Sequence, residues 1–193
     1  MKYEDIVNFH FEEHFKVLNT VKNTCLDDLI EISLQISQKL YSGSTLFICG
    51  NGGSASDSQH LSAELIGRFK KNRKALKSIS LNSDTSVLTC ISNDFSYEEV
   101  FSRQIEGLGK ENDILFVFST SGESKNIIKA LNTAKKLKMN TISLLGKGGG
   151  KAIELSQQSI LVPSSSTARI QEMHILLVHL MCEIIEEELH LNK

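Results

Sequence analysis

The chain has 193 residues, with 21 Lys+Arg against 23 Asp+Glu. That length suits one domain with a sizeable core, and the near balance of charge excludes a basic nucleic-acid stripe and an acidic disordered tail. No run of about 18 apolar residues exists, which excludes a membrane-spanning helix, and the opening Met1-Lys2-Tyr3-Glu4-Asp5 has no apolar signal core. A cytoplasmic protein is therefore expected. Cys25, Cys49, Cys90 and Cys182 form no C-x-x-C pair. Cys49 and Cys90 lie in apolar runs and read as reduced core thiols. With Pro163 alone, no linker and no internal repeat, residues 1–193 read as a single domain.

Residues 3–41 lack Pro and Gly, and Val7, Phe11, Phe15, Leu18 and Val21 recur at the amphipathic helical period. Leu26, Leu29, Ile30, Ile36 and Leu40 continue it, as a second helix or beyond a kink, and Gly43 is a helix stop. Leu46–Cys49 reads as a buried strand, followed by a helix from Ser54 to about Arg68 and a solvated basic loop, Lys70–Lys74. Ser78–Leu81 reads as a second strand, and Ser83/Asp84 can cap a short helix through Val87 and Leu88. Glu98–Leu108 is expected to be helical. Ile114–Phe118 is the clearest central strand, apolar on both faces. A helix over 124–137, a strand Thr141–Leu145, a glycine loop at 147–150 and a strand Ser159–Val162 follow. Residues 168–191 form a last long helix, with Ile170, Met173, Leu177, Leu180, Met181, Ile184 and Ile185 on its apolar face.

This alternation predicts an α/β fold: a five-stranded parallel sheet covered on both sides, with long N- and C-terminal helices. Those terminal helices carry more apolar surface than one such layer covers, so part of it, the 1–41 segment above all, is expected to pack in an oligomer.

Two loops carry the chemistry. Phe47-Ile48-Cys49-Gly50-Asn51-Gly52-Gly53-Ser54 runs from a strand through a glycine-rich turn into a helix. Glycines let backbone N–H groups approach a ligand, and a helix N-terminus favours anions and polarised oxygens. Gly50-x-Gly52-x-x-Ala55 formally matches the dinucleotide pattern, but no acidic residue closes the second strand at the right offset. Ser119-Thr120-Ser121-Gly122-Glu123-Ser124 lies in the same kind of place, and its three hydroxyls before a helix suit a phosphate monoester, ordinary capping by Ser121 or Ser124 being the bland alternative. No Walker pattern is present, which argues against an NTPase. His60 and Glu64 share one helix face at i and i+4. Taken alone, such a pair is most often a surface contact of little consequence. Gln171 and His179 lie two turns plus roughly 80° apart and can flank one broad face, while His174 is displaced from His179 and belongs elsewhere. His10, His14 and His190 have no companion motif and read as structural or solvated.

The combination of Cys-Gly-Asn-Gly-Gly-Ser (49–54), Gln-His-Leu-Ser-Ala-Glu-Leu (59–65), Ser-Asn-Asp-Phe (92–95), Ser-Thr-Ser-Gly (119–122) and Ala-Arg-Ile-Gln-Glu-Met-His (168–174) resembles the phosphoheptose isomerase family of sugar-isomerase (SIS) domain enzymes, across nearly the whole chain. The resemblance implies a flavodoxin-like α/β/α sandwich, a homotetramer and the conversion of sedoheptulose 7-phosphate to D-glycero-D-manno-heptose 7-phosphate. That reaction opens the route to ADP- or GDP-heptose for lipopolysaccharide or capsule. By resemblance, Asn51, Gly52, Gly53, Glu64, Asn93, Asp94, Ser119, Thr120, Ser121, Ser124 and Gln171 contact substrate. One zinc per subunit falls on His60, Glu64, Gln171 and His179, and acid/base roles fall on Glu64 and His179. Ala168 departs from relatives that carry an acidic residue there.

Ketose–aldose isomerisation moves a proton between adjacent carbons through an enediol, so it needs a base over C1 and C2 and a group serving the oxygens. Glu64 and His179 are expected to fill these roles. Three readings compete on the same fold: a tetramer that binds the bacterial replication initiator, which Ser164–Arg169 and Asp94–Tyr97 somewhat resemble; a sugar-phosphate sensor, normally joined to a DNA-binding domain; and an isomerase of another phosphorylated ketose. Intact His60, Glu64, Gln171 and His179 favour catalysis. No nucleic-acid or membrane partner is expected.

Overall fold

Strand residues point alternately to opposite faces of a sheet, and here both faces are apolar. In the computed structural model, which describes residues 2–191, every residue of β1 (Leu46–Cys49) and β3 (Ile114–Ser119) is buried. Ile114, Phe116 and Phe118 enter one core, and Leu115 and Val117 the other. Strands buried on both faces need helices on both sides, the arrangement of a parallel sheet. The sheet is five-stranded and parallel, ordered β2-β1-β3-β4-β5, with β2 at Ser78–Ser80, β4 at Asn140–Leu145 and β5 at Gln158–Leu161.

The helices are α1 (Tyr3–Thr24), α2 (Leu26–Tyr41), α3 (Gly53–Ile66), α4 (Thr85–Asp94), α5 (Ser102–Leu108), α6 (Lys125–Lys136), α7 (Gly150–Leu155) and α8 (Thr167–Leu191). Residues of α1, α2, α3 and α8 cover the Phe116 face, and those of α4, α5, α6 and α7 the other. The N-terminal segment is thus two helices, hinged at Cys25, the C-cap of one and N-cap of the next. Because β1 pairs with both β2 and β3, the chain reverses its direction of sheet growth between β1 and β3. Ligands of open α/β sheets bind in the crevice beyond the carboxyl ends of strands at such a switch. The two loops singled out by composition leave β1 and β3, and so flank it.

Some expectations are corrected. Cys90 is exposed, unlike buried Cys49. The short helix expected after Ser83/Asp84 is present as α4, capped by Asp84, but of its residues only Ile91 is buried. The helix expected over Glu98–Leu108 is a 3-10 turn at Tyr97–Glu99 followed by α5, because Val100 and Phe101 turn fully into the core. Leu180, placed on the apolar face of α8, is 38% exposed, whereas Ile170, Met173, Leu177, Met181 and Ile185 are buried. Helix α7 arises where the sequence was read as a glycine loop leading to a strand.

The basic segment after α3 is not simply solvated. The Glu186 carboxylate accepts the backbone N–H groups of Phe69, Lys70 and Lys71 at 3.0, 2.9 and 2.8 Å. Arg73 Nε donates to the same carboxylate at 3.1 Å, both side chains being almost wholly buried. Burial pushes the Glu186 carboxyl up, but these donors and the Arg73 charge outweigh it and hold it below the usual carboxylate range.

Candidate active site

The β1 loop is shaped by side chains as well as glycines. Gly52 has φ +59°, a left-handed conformation that glycine adopts without strain, and nothing crowds its missing side chain. Gly50 is glycine for another reason: a Cβ there would collide with the backbone of Ser54. Asn82, just past β2, acts as a substitute strand residue. Gly50 N–H donates to its Oδ1 at 3.1 Å, and its Nδ2 donates to the Gly50 carbonyl at 2.9 Å. Ser58 donates to Asn82 Oδ1 at 2.9 Å and lies 2.7 Å from Ser80. Asn82 was missed in the sequence; an amide just beyond a strand carries no signal until the neighbouring strand is known.

The β3 loop is pinned from behind. Gly122, with φ +67°, packs directly on the Gly149–Gly150 backbone, where no Cβ would fit. Its N–H donates to Ser119 Oγ at 3.0 Å, and the Glu123 N–H donates to Ser121 Oγ at 3.2 Å. Ser124 occupies the N-cap position of α6 but makes no side-chain cap bond. Its hydroxyl is thus not consumed by capping, and the N-terminus of a helix twelve residues long stands behind it, with its positive dipole end toward the loop.

The two loops are joined. Asn51 and Asn126 exchange reciprocal amide bonds of 2.9 Å, and Tyr97 Oη lies 2.9 Å from Asn51 Oδ1. Neither Asn126 nor Tyr97 was identified from the sequence. Asn93 and Asp94 sit exposed at the end of α4 and bond to one another at 2.8 Å, with Cys90 Sγ at 3.4 Å from Asp94. None of these bonds reaches the loops.

On the Phe116 side of the switch, α3 and α8 pack together. His60 Nε2 lies 3.1 Å from Glu64 Oε1 and 3.4 Å from His179 Nε2. One ligand atom from each of the three residues falls within 4.8 Å of the others. Two imidazole nitrogens and a carboxylate oxygen thus face one point, where they could share a proton or hold a metal ion. Ligand atoms on a tetrahedral zinc stand about 3.3 Å apart, from Zn–N distances near 2.0–2.1 Å, close to the His60–Glu64 and His60–His179 spacings of 3.1 and 3.4 Å. The residues fit a divalent cation. His179 is held from its other side by Phe69, stacked with centroids 5.4 Å apart and planes at 15°. Phe69 in turn belongs to the segment that Glu186 fastens.

Gln171, the fourth ligand implied by the resemblance, lies against Gly53. A Cβ on Gly53 would come 2.5 Å from Gln171 Nε2. A side chain at 53 would therefore displace the Gln171 amide from the head of α3. Asp57 shares the helix face of His60 and Glu64, and burial raises its carboxyl to about 6 against the lowering influence of His60. His174 lies elsewhere, as expected: it is buried, its Nε2 donates to the Leu145 carbonyl at 3.3 Å, and Nδ1 has no partner. A lone unpartnered nitrogen requires the neutral ring, and burial lowers its pKa to about 4. His14 is structural, bonded at 2.7 Å to Glu172, which also takes Arg169 at 2.6 Å.

Two histidines and a carboxylate converging beside two glycine- and serine-rich loops, on a sheet of order 2-1-3-4-5, are a constellation that can be compared with known proteins. The family model for the SIS domain matches residues 10–146. The phosphoheptose isomerase of Helicobacter pylori (strain P12) is 48% identical over 183 residues, covering 95% of both chains. Phosphoheptose isomerase 1 of Campylobacter jejuni subsp. jejuni is 47% identical over 95% of this chain and 98% of its own. The chain belongs to the phosphoheptose isomerases of the SIS-domain family. It is an isomerase. The fold agrees: phosphoheptose isomerase GmhA from Neisseria gonorrhoeae superposes with a TM-score of 0.91 at 36% identity, over 96% of this chain and 100% of that one. The Francisella tularensis phosphoheptose isomerase superposes with a TM-score of 0.94 at 33% identity, over 97% and 100%. The Vibrio vulnificus NanR protein, at 18% identity and a TM-score of 0.67, shares the fold alone. Among the described residues no helix is long and apolar enough to cross a membrane.

Proposed function

We propose that this chain converts sedoheptulose 7-phosphate to D-glycero-D-manno-heptose 7-phosphate through an enediol, an early step toward ADP- or GDP-heptose for lipopolysaccharide or capsule. The observation that carries this reading is the convergence of His60, Glu64 and His179 beside the switch-point loops, in a chain 48% identical to a named phosphoheptose isomerase. The hydroxyls of Ser119, Thr120, Ser121 and Ser124, with the N-terminus of α6, bind the phosphate. That remote anchor positions the reacting carbons, as binding energy spent away from the chemistry can. Asn51, Gly52, Gly53, Asn93, Asp94 and Gln171 line the sugar.

Glu64 takes the proton from C1 of the open-chain ketose, leaving an enediolate across C1 and C2, and returns it to C2. His179 gives a proton to O2 and accepts one from O1, which leaves the aldehyde at C1. Glu64 can serve both as ligand and as base because a carboxylate has two oxygens; Oε1 faces His60, which leaves Oε2 for the substrate. His60, Glu64, Gln171 and His179 would hold a zinc ion. When bound, the ion supplies positive charge that polarises substrate oxygens.

We place the protein in the cytoplasm as a homotetramer. The apolar face of α1 supports this assembly: Val7, Phe11 and Phe15, spaced four residues apart on one stripe of the helix, are 52%, 61% and 58% exposed, a surface that one chain leaves uncovered. Light scattering should give the mass of four chains; a monomer would overturn it.

The deciding experiment is proton NMR with sedoheptulose 7-phosphate in deuterated water. Wild type should produce a new anomeric signal, with deuterium at C2 only to the extent that the proton held by Glu64 exchanges with solvent before its return, and Glu64→Gln should lose about 10²- to 10⁴-fold in turnover. No turnover with or without added zinc would transfer the fold to a non-catalytic role.

A further inference from the structure

The Asn51–Asn126 pair can be oriented without ambiguity. The backbone N–H of Ile127 donates to Asn126 Oδ1 at 3.0 Å. A backbone N–H is only a donor, so that atom is the oxygen and the amide's other end is the nitrogen. Asn126 Nδ2 therefore donates to Asn51 Oδ1, and Asn51 Nδ2 donates to Asn126 Oδ1, each at 2.9 Å. Tyr97 Oη, 2.9 Å from Asn51 Oδ1, can only be donating. A carbonyl oxygen has two lone pairs, and both on Asn51 are now taken. What remains is one N–H of Asn51.

Tyr97 is fastened from the helix that carries Asn126. Lys125 reaches Glu98 at 2.9 Å, and Lys129 pairs with both Glu98 and Glu99. The 3-10 turn holding Tyr97 and the first turn of α6 holding Asn126 thus form one frame around Asn51. Asn126 is buried, but Tyr97 is 58% exposed, so its ring contributes little to the core.

We propose that Tyr97, acting with Asn126, is a positioning residue that fixes the Asn51 amide as a hydrogen-bond donor to a substrate oxygen. Asn51 then discriminates polarity: it accepts ligand groups that offer a carbonyl, enediolate or phosphate oxygen and offers nothing to a donor. This rests on the reading above that Asn51 touches substrate.

The test is a double-mutant cycle of Tyr97→Phe and Asn51→Ala, with kcat and KM for sedoheptulose 7-phosphate measured separately and melting temperatures recorded. Tyr97→Phe should melt with wild type and lose roughly three- to tenfold in kcat/KM, the worth of one neutral hydrogen bond. In the Asn51→Ala background the same change should have no effect, because the amide it orients is gone. If Asn51→Ala alone leaves kcat/KM unchanged, Asn51 does not touch substrate, and both readings fall. If Asn51→Ala is impaired but Tyr97→Phe matches wild type, or costs the same factor in both backgrounds, the positioning role is wrong while the substrate contact stands.

Discussion

The loop after β1 and the junction of α3 with α8 solve the same problem in opposite ways. In the loop the polar groups satisfy one another: Asn82 holds Gly50 and Asn126 holds Asn51. At the junction three side chains from two helices meet directly, two imidazoles and a carboxylate converging on one point. The loop is ready before any ligand arrives. The junction gathers groups able to hold a proton or a cation, and helix packing with Phe69 stacking holds them in place. Preorganisation by hydrogen bonds suits recognition, and a convergent array suits chemistry.

The largest effect that would break this contrast is the loss of turnover expected for Glu64→Gln, with the β1 loop unchanged. Next is the mooring of the junction. Glu186→Ala would strand Arg73 and three backbone N–H groups in a buried place. Removing one partner of a buried ion pair costs about 3–5 kcal/mol, which urea unfolding would read. Turnover below the melting point should fall as well, because Phe69 no longer holds His179. A variant that lost stability yet kept full turnover would show that the stack is incidental.

A smaller effect sharpens the role of α8. His174, between Gln171 and His179, is neutral in the folded chain, with its pKa lowered to about 4 by burial. As pH falls below the ordinary value of 6.5, the unfolded chain takes up a proton that the folded chain refuses, so stability falls between about 6.5 and 4. Two to three pKa units correspond to about 3 kcal/mol for a wholly buried group. His174→Gln can keep the donor to Leu145 without a titrating ring. Its urea-unfolding free energy should fall less between pH 7 and pH 4.5 than that of wild type. Equal slopes would mean that His174 titrates freely.

Much of the molecule was legible along the chain. The five strands, the two-helix N-terminal segment and the long last helix follow from apolar spacing, and the candidate ligands follow from motif resemblance. The failures share a cause. Cys90 sits in an apolar run yet is exposed, because a helix turns one side of such a run outward and only Ile91 of α4 is buried. Lys70–Lys74 is basic and was expected in water, yet Glu186, more than a hundred residues away in sequence, gathers its backbone. Asn82 and Asn126 are single polar residues outside any motif, and Tyr97, though it ends the Asp94–Tyr97 stretch, carries no local sign that it reaches Asn51.

The sequence by itself determined the alternation of strands and helices, the glycines where the backbone turns left-handed or packs without a Cβ, and the chemical types available for catalysis. Those depend on residues a few positions apart, where steric and periodic rules act. Only the tertiary structure decided that the crevice lies between β1 and β3, that Glu64 and His179 meet through His60, and that Asn51 presents a donor. Each of these depends on which distant segments share a sheet edge or a helix contact, and that is settled by burying all the apolar faces at once.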